Sequence, residues 1–318
     1  MIIEALIFIA GLVALSWSAD RFVFGASALA NSLGISPMVI GLTIVAMGSS
    51  APEIVVSATA SMNNNPNTAV GNAIGSNITN VALVLGLTAL LKPLMVSSST
   101  IRREMPVLMA VTLLAVYFLS DRHLTHVEGI VLIILFFVSI GGLTLISLKA
   151  DKGDPLQAET EEELPKNVPT SRAVVWVLVG LIMLPVSAHF MVDSAVEIAR
   201  FFGMSELVIG LTIIALGTSL PELAASIAGV LKGEDDLALG NIIGSNIFNL
   251  LAVLAMPGLI APGLIDENVA TRDIFAMLLV TGLLIAFSFN LRGTRRINRW
   301  EGGTLVACYL IYCYYLLA

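Results

Sequence analysis

The sequence predicts an all-α membrane protein of about ten transmembrane helices, arranged as two inverted five-helix repeats. Three observations predict it. Only 12% of the 318 residues are charged and 57% are hydrophobic, with a mean hydropathy of +0.93. Soluble domains carry roughly a quarter charged residues, so half that amount cannot cover a globular surface and the solvent is lipid. Apolar runs of about 20 residues, enough to cross a bilayer, recur along the whole chain. Finally, the first half lies on the second without a gap after a shift of 169, with 25 identical pairs between residues 34 and 86.

The elements follow in order. Spans are expected near 2–20, 37–62, 68–91, 105–120, 126–148, 173–197, 205–231, 237–260, 272–290 and 302–317. No run alternates with the two-residue period of a membrane β-barrel. The start, "MIIEALIFIAGLVAL", has neither a basic leader nor a small-residue cleavage site and reads as a first span. Residues 1–148 form the first repeat, 149–172 an acidic linker and 173–318 the second repeat. The linker carries Glu159, Glu161, Glu162 and Glu163 and reads as a solvated connection rather than a cation sensor. Cys308 and Cys313, in the last apolar run, read as packing residues.

Orientation comes from basic residues. With the first span running from outside to inside, the inward connections hold twelve Lys and Arg and the outward ones Arg122, Arg200 and Arg272. This bias predicts both termini outside and the linker in the cytoplasm. Each half holds an odd number of spans, so the second copy enters from the opposite face. Secondary transporters built this way bind substrate near the midplane.

The polar residues inside the apolar runs carry the chemistry. "GLTIVAMGSSAPE" (41–53) recurs as "GLTIIALGTSLPE" (210–222). Pro52 and Pro221 lack an N–H, so each helix bends and the carbonyls around Ala46 and Ala215 become candidate ligands, with Gly48 letting the backbone open. Glu53 follows Ser49 and Ser50 by about one turn; Glu222 follows Thr218 and Ser219 likewise. On the neighbouring spans, Asn72, Ser76 and Asn80 form a stripe at a spacing of four that Asn241, Ser245 and Asn249 repeat. Gly71, Gly75, Gly240 and Gly244 form GxxxG pairs that suit close helix packing.

This inventory is all oxygen, which suits hard cations and argues against soft transition metals. An ionised carboxylate in the bilayer costs a few kcal/mol even on lenient scales, about 2.5 or more. Two of them at equivalent positions require cations or protons in compensation. The competing reading is a protonated glutamate bonding a neighbouring helix. Asp20, His189 and Asp193 lie near span ends and read as interface anchors.

"GSSAPE"/"GTSLPE" together with "GNAIGSNITN"/"GNIIGSNIFN" resemble the two α-repeats of the cation/calcium exchanger superfamily, specifically bacterial calcium/sodium antiporters related to animal sodium/calcium exchangers. The resemblance implies a ten-helix inverted-repeat fold exchanging sodium, or sometimes protons, for calcium by alternating access. By position it implies Glu53 and Glu222 as acidic ligands. It adds oxygens from Ser49, Thr218, Ala46 and Ala215, sodium-coordinating hydroxyls at Ser50, Ser219, Ser76 and Ser245, and central amides at Asn80 and Asn249. The sequence departs from the family pattern at Ser49, where threonine is usual, and at Asn249, where several relatives carry aspartate.

The expected function is therefore sodium-driven calcium extrusion by a non-enzymatic antiporter. It requires no cofactor and no nucleic acid, with calcium, sodium and the lipid bilayer as its partners. A calcium/proton exchanger on the same fold is the nearest alternative, disfavoured because Gly75 and Gly244 stand where the proton-coupled branch has a glutamate. A cation channel would not need inverted halves around a closed site, and an intramembrane hydrolase lacks its nucleophile or GxGD context.

Overall fold

The computed structural model describes residues 2–149, 168–203, 215–289 and 295–317. The linker glutamates and the first part of the expected 205–231 span lie outside the described residues. Besides a short helix at Ser98–Arg102, the helices among the described residues are α1 (Ile2–Leu33), α2 (Pro37–Ser49), α3 (Ala51–Met62), α4 (Pro66–Leu91), α5 (Glu104–Leu119), α6 (His126–Lys149), α7 (Thr170–Phe201), α8 (Ala215–Thr218), α9 (Leu220–Leu231), α10 (Asp235–Ile260), α11 (Val269–Ser288) and α12 (Arg299–Leu317). Among the described residues six are long and apolar enough to cross a membrane, or seven if α2 and α3 count as one bent span. The molecule is an all-α integral membrane protein whose only strands among those residues are two-residue pairs. In these, β1 (Leu94–Met95) joins β4 (Arg296–Ile297), and β2 (His123–Leu124) joins β3 (Gly263–Leu264).

Burial sorts the helices. α10 is buried over its central 18 residues and α4 largely so, whereas α1 and α6 are mostly exposed. The two buried helices are also the least apolar of the six. That order is what hydrocarbon solvent dictates: polar groups must find partners inside the protein, so the Asn and Ser stripes go to the centre and the oiliest helices to the rim.

α1 and α7 are each 32 residues long, about 48 Å at 1.5 Å per residue. The first helix extends beyond the expected end near residue 20. The helix continues because the next residues are small and pack: Gly25, Ala26, Ser27 and Ala28 are all buried. The two helices run antiparallel, with Gly11 against Met191, Phe22 against Gly180 and Gly25 against Trp176. Asp20 is paired with Lys232 at 2.7 Å, and His189 with Asp193 at 3.3 Å.

Helix starts follow local chemistry. Pro37 and Pro66 occupy first turns, where a missing N–H costs nothing. α6 opens with a reciprocal cap in which Thr125 N donates to Glu128 Oε2 (2.7 Å) and Glu128 N to Thr125 Oγ1 (3.2 Å). At α12 the same box is made by Asn298 and Glu301, at 2.7 and 3.1 Å.

Glycines set the closest approaches. A Cβ on Gly41 would lie 2.5 Å from the Leu237 carbonyl, and one on Gly244 would lie 2.6 Å from the Leu42 carbonyl and 2.7 Å from Ala46 Cβ. Gly240 and Gly244 therefore let α10 lie backbone-to-backbone on α2. Gly48 has a different role from the one its sequence suggested. It faces the Leu181 side chain of α7, and Gly217 faces Val192 of the same helix. Both glycines make room for α7.

Gly244→Val is expected to destabilise the protein by about 1–3 kcal/mol or more, because the obstructing atoms are backbone. Gly282→Ala, with nothing within 4 Å of the added carbon, is expected to be neutral or stabilising by up to about 1 kcal/mol. Thermal unfolding in detergent checks both.

A buried carboxylate pair at two broken helices

The two prolines act as the sequence implies. Pro52 lies in the first turn of α3 and Pro221 in the first turn of α9. The residue before each helix leaves helical geometry in the same way: Ser50 has φ −89° and ψ 4°, and Ser219 has φ −91° and ψ 4°. At Ser50 the span bends by 43°. Glu53 and Glu222 thus sit in first turns, where unpaired N–H groups and the helix dipole favour negative charge.

The α2 carbonyls are less free than expected. Ala46 O still accepts from Ser50 N at 3.0 Å and lies 3.4 Å from Ser49 Oγ, so the ladder runs through Ala46. Gly48 O is the carbonyl whose helical donor would be Pro52. On the second side Ser219 N reaches back three residues to Leu216 O at 3.1 Å, not four to Ala215.

The two halves meet at the glutamates. Glu53 and Glu222 are each 1% exposed. Ser50 Oγ donates to Glu222 Oε1 at 3.2 Å. Ser49 Oγ lies 3.2 Å from Asn241 Oδ1 and 3.4 Å from Ser245 Oγ. Residues of the first copy therefore complete the surroundings of the second glutamate.

Ser76, Ser245, Asn80 and Asn249 are buried on α4 and α10, and Ser219 is buried beside Pro221. Thr218 is half-buried and Ala215 opens α8. Five oxygens here have no hydrogen-bond partner among the described residues: Glu53 Oε2, Glu222 Oε2, Ser219 Oγ, Asn80 Oδ1 and Asn249 Oδ1. Orphaned polar atoms at such depth are costly. Oxygens of this kind are what a hard cation replaces its water with. Among the described residues no three His, Cys, Asp or Glu side chains gather, so the donors are two carboxylates and neutral oxygens.

Two features were not in the sequence reading. The ladder widens into π turns over Gly41–Val45, Thr79–Leu85, Asn249–Val253 and Val269–Asp273. The second and third carry Asn80 and Asn249; such turns concentrate at functional sites. The other feature is a mirrored bond set. Asn72 Nδ2 donates to Glu53 O (3.1 Å) and Ser57 Oγ (3.0 Å), and Asn241 Nδ2 to Glu222 O (3.4 Å) and Ser226 Oγ (3.1 Å). Ser57 and Ser226 were detectable in principle, because they are identical under the 169-residue shift.

A cavity of about 1010 Å³ reaches the breaks, lined by Pro52, Gly217, Thr218 and Pro221 and, along α7, by His189 and Asp193. A smaller one of about 390 Å³ runs between α1 and α9, with Asp20 and Lys232 in its wall.

A buried carboxylate in the first turn of each of two proline-broken membrane helices, with a cavity beside the breaks, is an arrangement that suits a membrane carrier for hard cations. Residues 3–145 and 172–318 match the family described as sodium/calcium exchanger protein, and the chain belongs to that family. It is 55% identical over 318 residues to CaxA of Alkalimonas amylolytica, covering 100% of both chains. It is 44% identical over 283 residues to the inner membrane protein YrbG of Escherichia coli, covering 88% of this chain and 87% of that one. A solved structure of the sodium-calcium exchanger NCX_Mj superposes with a TM-score of 0.84 at 34% identity, covering 99% of both chains.

Ser50→Ala removes the hydroxyl 3.2 Å from Glu222 Oε1. A hydrogen bond to a charged group is worth about 1.5–3 kcal/mol, so the half-saturating calcium concentration is expected to rise about tenfold or more with folding intact. Calcium titration of flux in proteoliposomes measures it.

Proposed function

We propose that the chain exchanges sodium for calcium across a bacterial inner membrane by alternating access, with calcium extrusion driven by the sodium gradient. The observation that carries this reading is the pair Glu53 and Glu222, buried together and surrounded by neutral oxygens from both halves. Two carboxylates balance one divalent ion or two monovalent ones, which lets calcium and sodium compete for one place. With neither ion present, two negative charges face each other away from water, and the carrier resists switching.

In this reading residues 1–148 and 173–318 are inverted five-helix repeats totalling ten spans, with the 149–172 linker cytoplasmic and both termini outside. The 169-residue offset, the twelve-to-three distribution of basic residues and the mirrored breaks at Ser50 and Ser219 support it. The ligands are Glu53, Glu222, Ser49, Thr218, Ser50, Ser219, Ser76, Ser245, Asn80 and Asn249, with the carbonyls of Ala46 and Ala215. Asn249 holds the carboxylate count at two.

Sodium rather than proton coupling is supported by Gly75 and Gly244 standing where the proton-coupled branch has a glutamate. Packing agrees at one of the two: a side chain at position 244 would strike the Leu42 carbonyl and Ala46 Cβ, whereas position 75 has open space.

Glu53→Gln and Glu222→Gln are each expected to abolish sodium-dependent calcium flux in proteoliposomes, and wild-type flux in either variant refutes the assignment. In wild-type vesicles calcium uptake is expected to follow an imposed sodium gradient and ignore a pH gradient; the opposite result identifies a proton exchanger. For orientation, single cysteines introduced in the 149–172 linker of a cysteine-free protein are expected to resist impermeant maleimide added outside intact cells.

A further inference from the structure

The mirrored asparagines are not among the ligands, yet they touch what the ligands depend on. Asn241 is 1% exposed and Ser226 is fully buried. A backbone carbonyl carries no hydrogen, so only the nitrogen end of an amide can face it. The Glu222 carbonyl therefore fixes which way the Asn241 amide points, with Nδ2 shared between Glu222 O and Ser226 Oγ. Its oxygen is left to accept, and the Ser49 hydroxyl of the other half lies 3.2 Å from it.

A hydroxyl has one hydrogen and two lone pairs. Asn241 Oδ1, at 3.2 Å, is nearer to the Ser49 hydroxyl than Ala46 O at 3.4 Å, and a hydrogen drawn to the amide leaves the lone pairs of Ser49 to accept. The same amide pins the first turn of α9 to α10, and α10 is the helix that carries Ser245 and Asn249. One side chain thus sets the register of a carboxylate, a hydroxyl and the stripe opposite them.

The first half repeats the fastening. Asn72 Nδ2 holds Glu53 O and Ser57 Oγ at 3.1 and 3.0 Å, and Ser57 Oγ donates in turn to Ala69 O on α4 at 3.2 Å. Both sets join residues 19 and 15 positions apart. A chance contact does not recur with both spacings preserved.

We propose that Asn241 with Ser226, and Asn72 with Ser57, are positioning residues for calcium, fastening each glutamate-bearing turn to the neighbouring polar helix and, at Asn241, orienting the Ser49 hydroxyl toward the ion. The proposal rests on the exchange reading above. It predicts that loss of the fastening changes how tightly the ion is held more than how fast the carrier turns over. Partners behind metal ligands typically contribute about 10–100-fold to metal affinity.

The test uses purified full-length protein in proteoliposomes, with calcium as the probe. Asn241→Leu removes every bond at nearly constant volume and is expected to raise the calcium KM about 10–100-fold, with the maximal rate kept within a few-fold. Ser226→Ala removes one bond and is expected to raise KM about 2–10-fold, while Ser226→Thr keeps the hydroxyl and restores the wild-type value. An unchanged KM in Asn241→Leu, or a fall in maximal rate alone, overturns the proposal as the mark of a purely structural residue.

If Asn241→Leu does not fold, Ser226→Ala decides by calcium-dependent thermal stabilisation. A reduced calcium response supports the proposal and an unchanged one overturns it. Glu222→Gln separates the two levels. Inactive Glu222→Gln with unshifted positioning variants defeats this inference alone, whereas active Glu222→Gln defeats the exchange reading beneath it.

Discussion

Two carboxylates, each almost wholly buried in a protein whose solvent is hydrocarbon, constrain nearly everything else in this molecule. Each is costly to keep charged away from water. The surrounding structure answers with first turns of broken helices, hydroxyls on both sides and amides on the central helices.

The same constraint explains the layering. α4 and α10 have to run through the middle because their asparagines and serines have no partners in lipid, and the central stretch of α10 is wholly buried. Close backbone contact at Gly41, Gly240 and Gly244 brings α2 and its Ser49 against α10. Long α1 and α7 pack on each other outside this centre, with cavities on either flank of the pair bordering the broken helices. A carrier needs such a division between a polar centre and elements that can shift around it.

Much of the site was legible before any coordinates. Periodicity of four, apart from any knowledge of contacts, picked out Asn72, Ser76 and Asn80. The duplicated Pro-Glu located both helix breaks, because the missing N–H of proline is a property of the residue itself. Other features were not legible. The first span ran on well past Asp20, which pairs with Lys232, because small residues beyond it pack. Ala46 kept its place in the ladder although the sequence suggested a freed carbonyl. Gly48 proved to be a matter of room for Leu181 rather than of backbone opening.

The sequence alone determined that the chain is a membrane protein, that it is duplicated, and that an acidic residue follows a proline in each copy. These are consequences of composition and local stereochemistry, which act without reference to distant residues. Tertiary structure alone decided that Ser50 of one half serves Glu222 of the other, that π turns carry Asn80 and Asn249, and that Asn241 faces two acceptors and a hydroxyl at once. Such contacts join positions up to 196 residues apart, and only the packing of the helices brings them together.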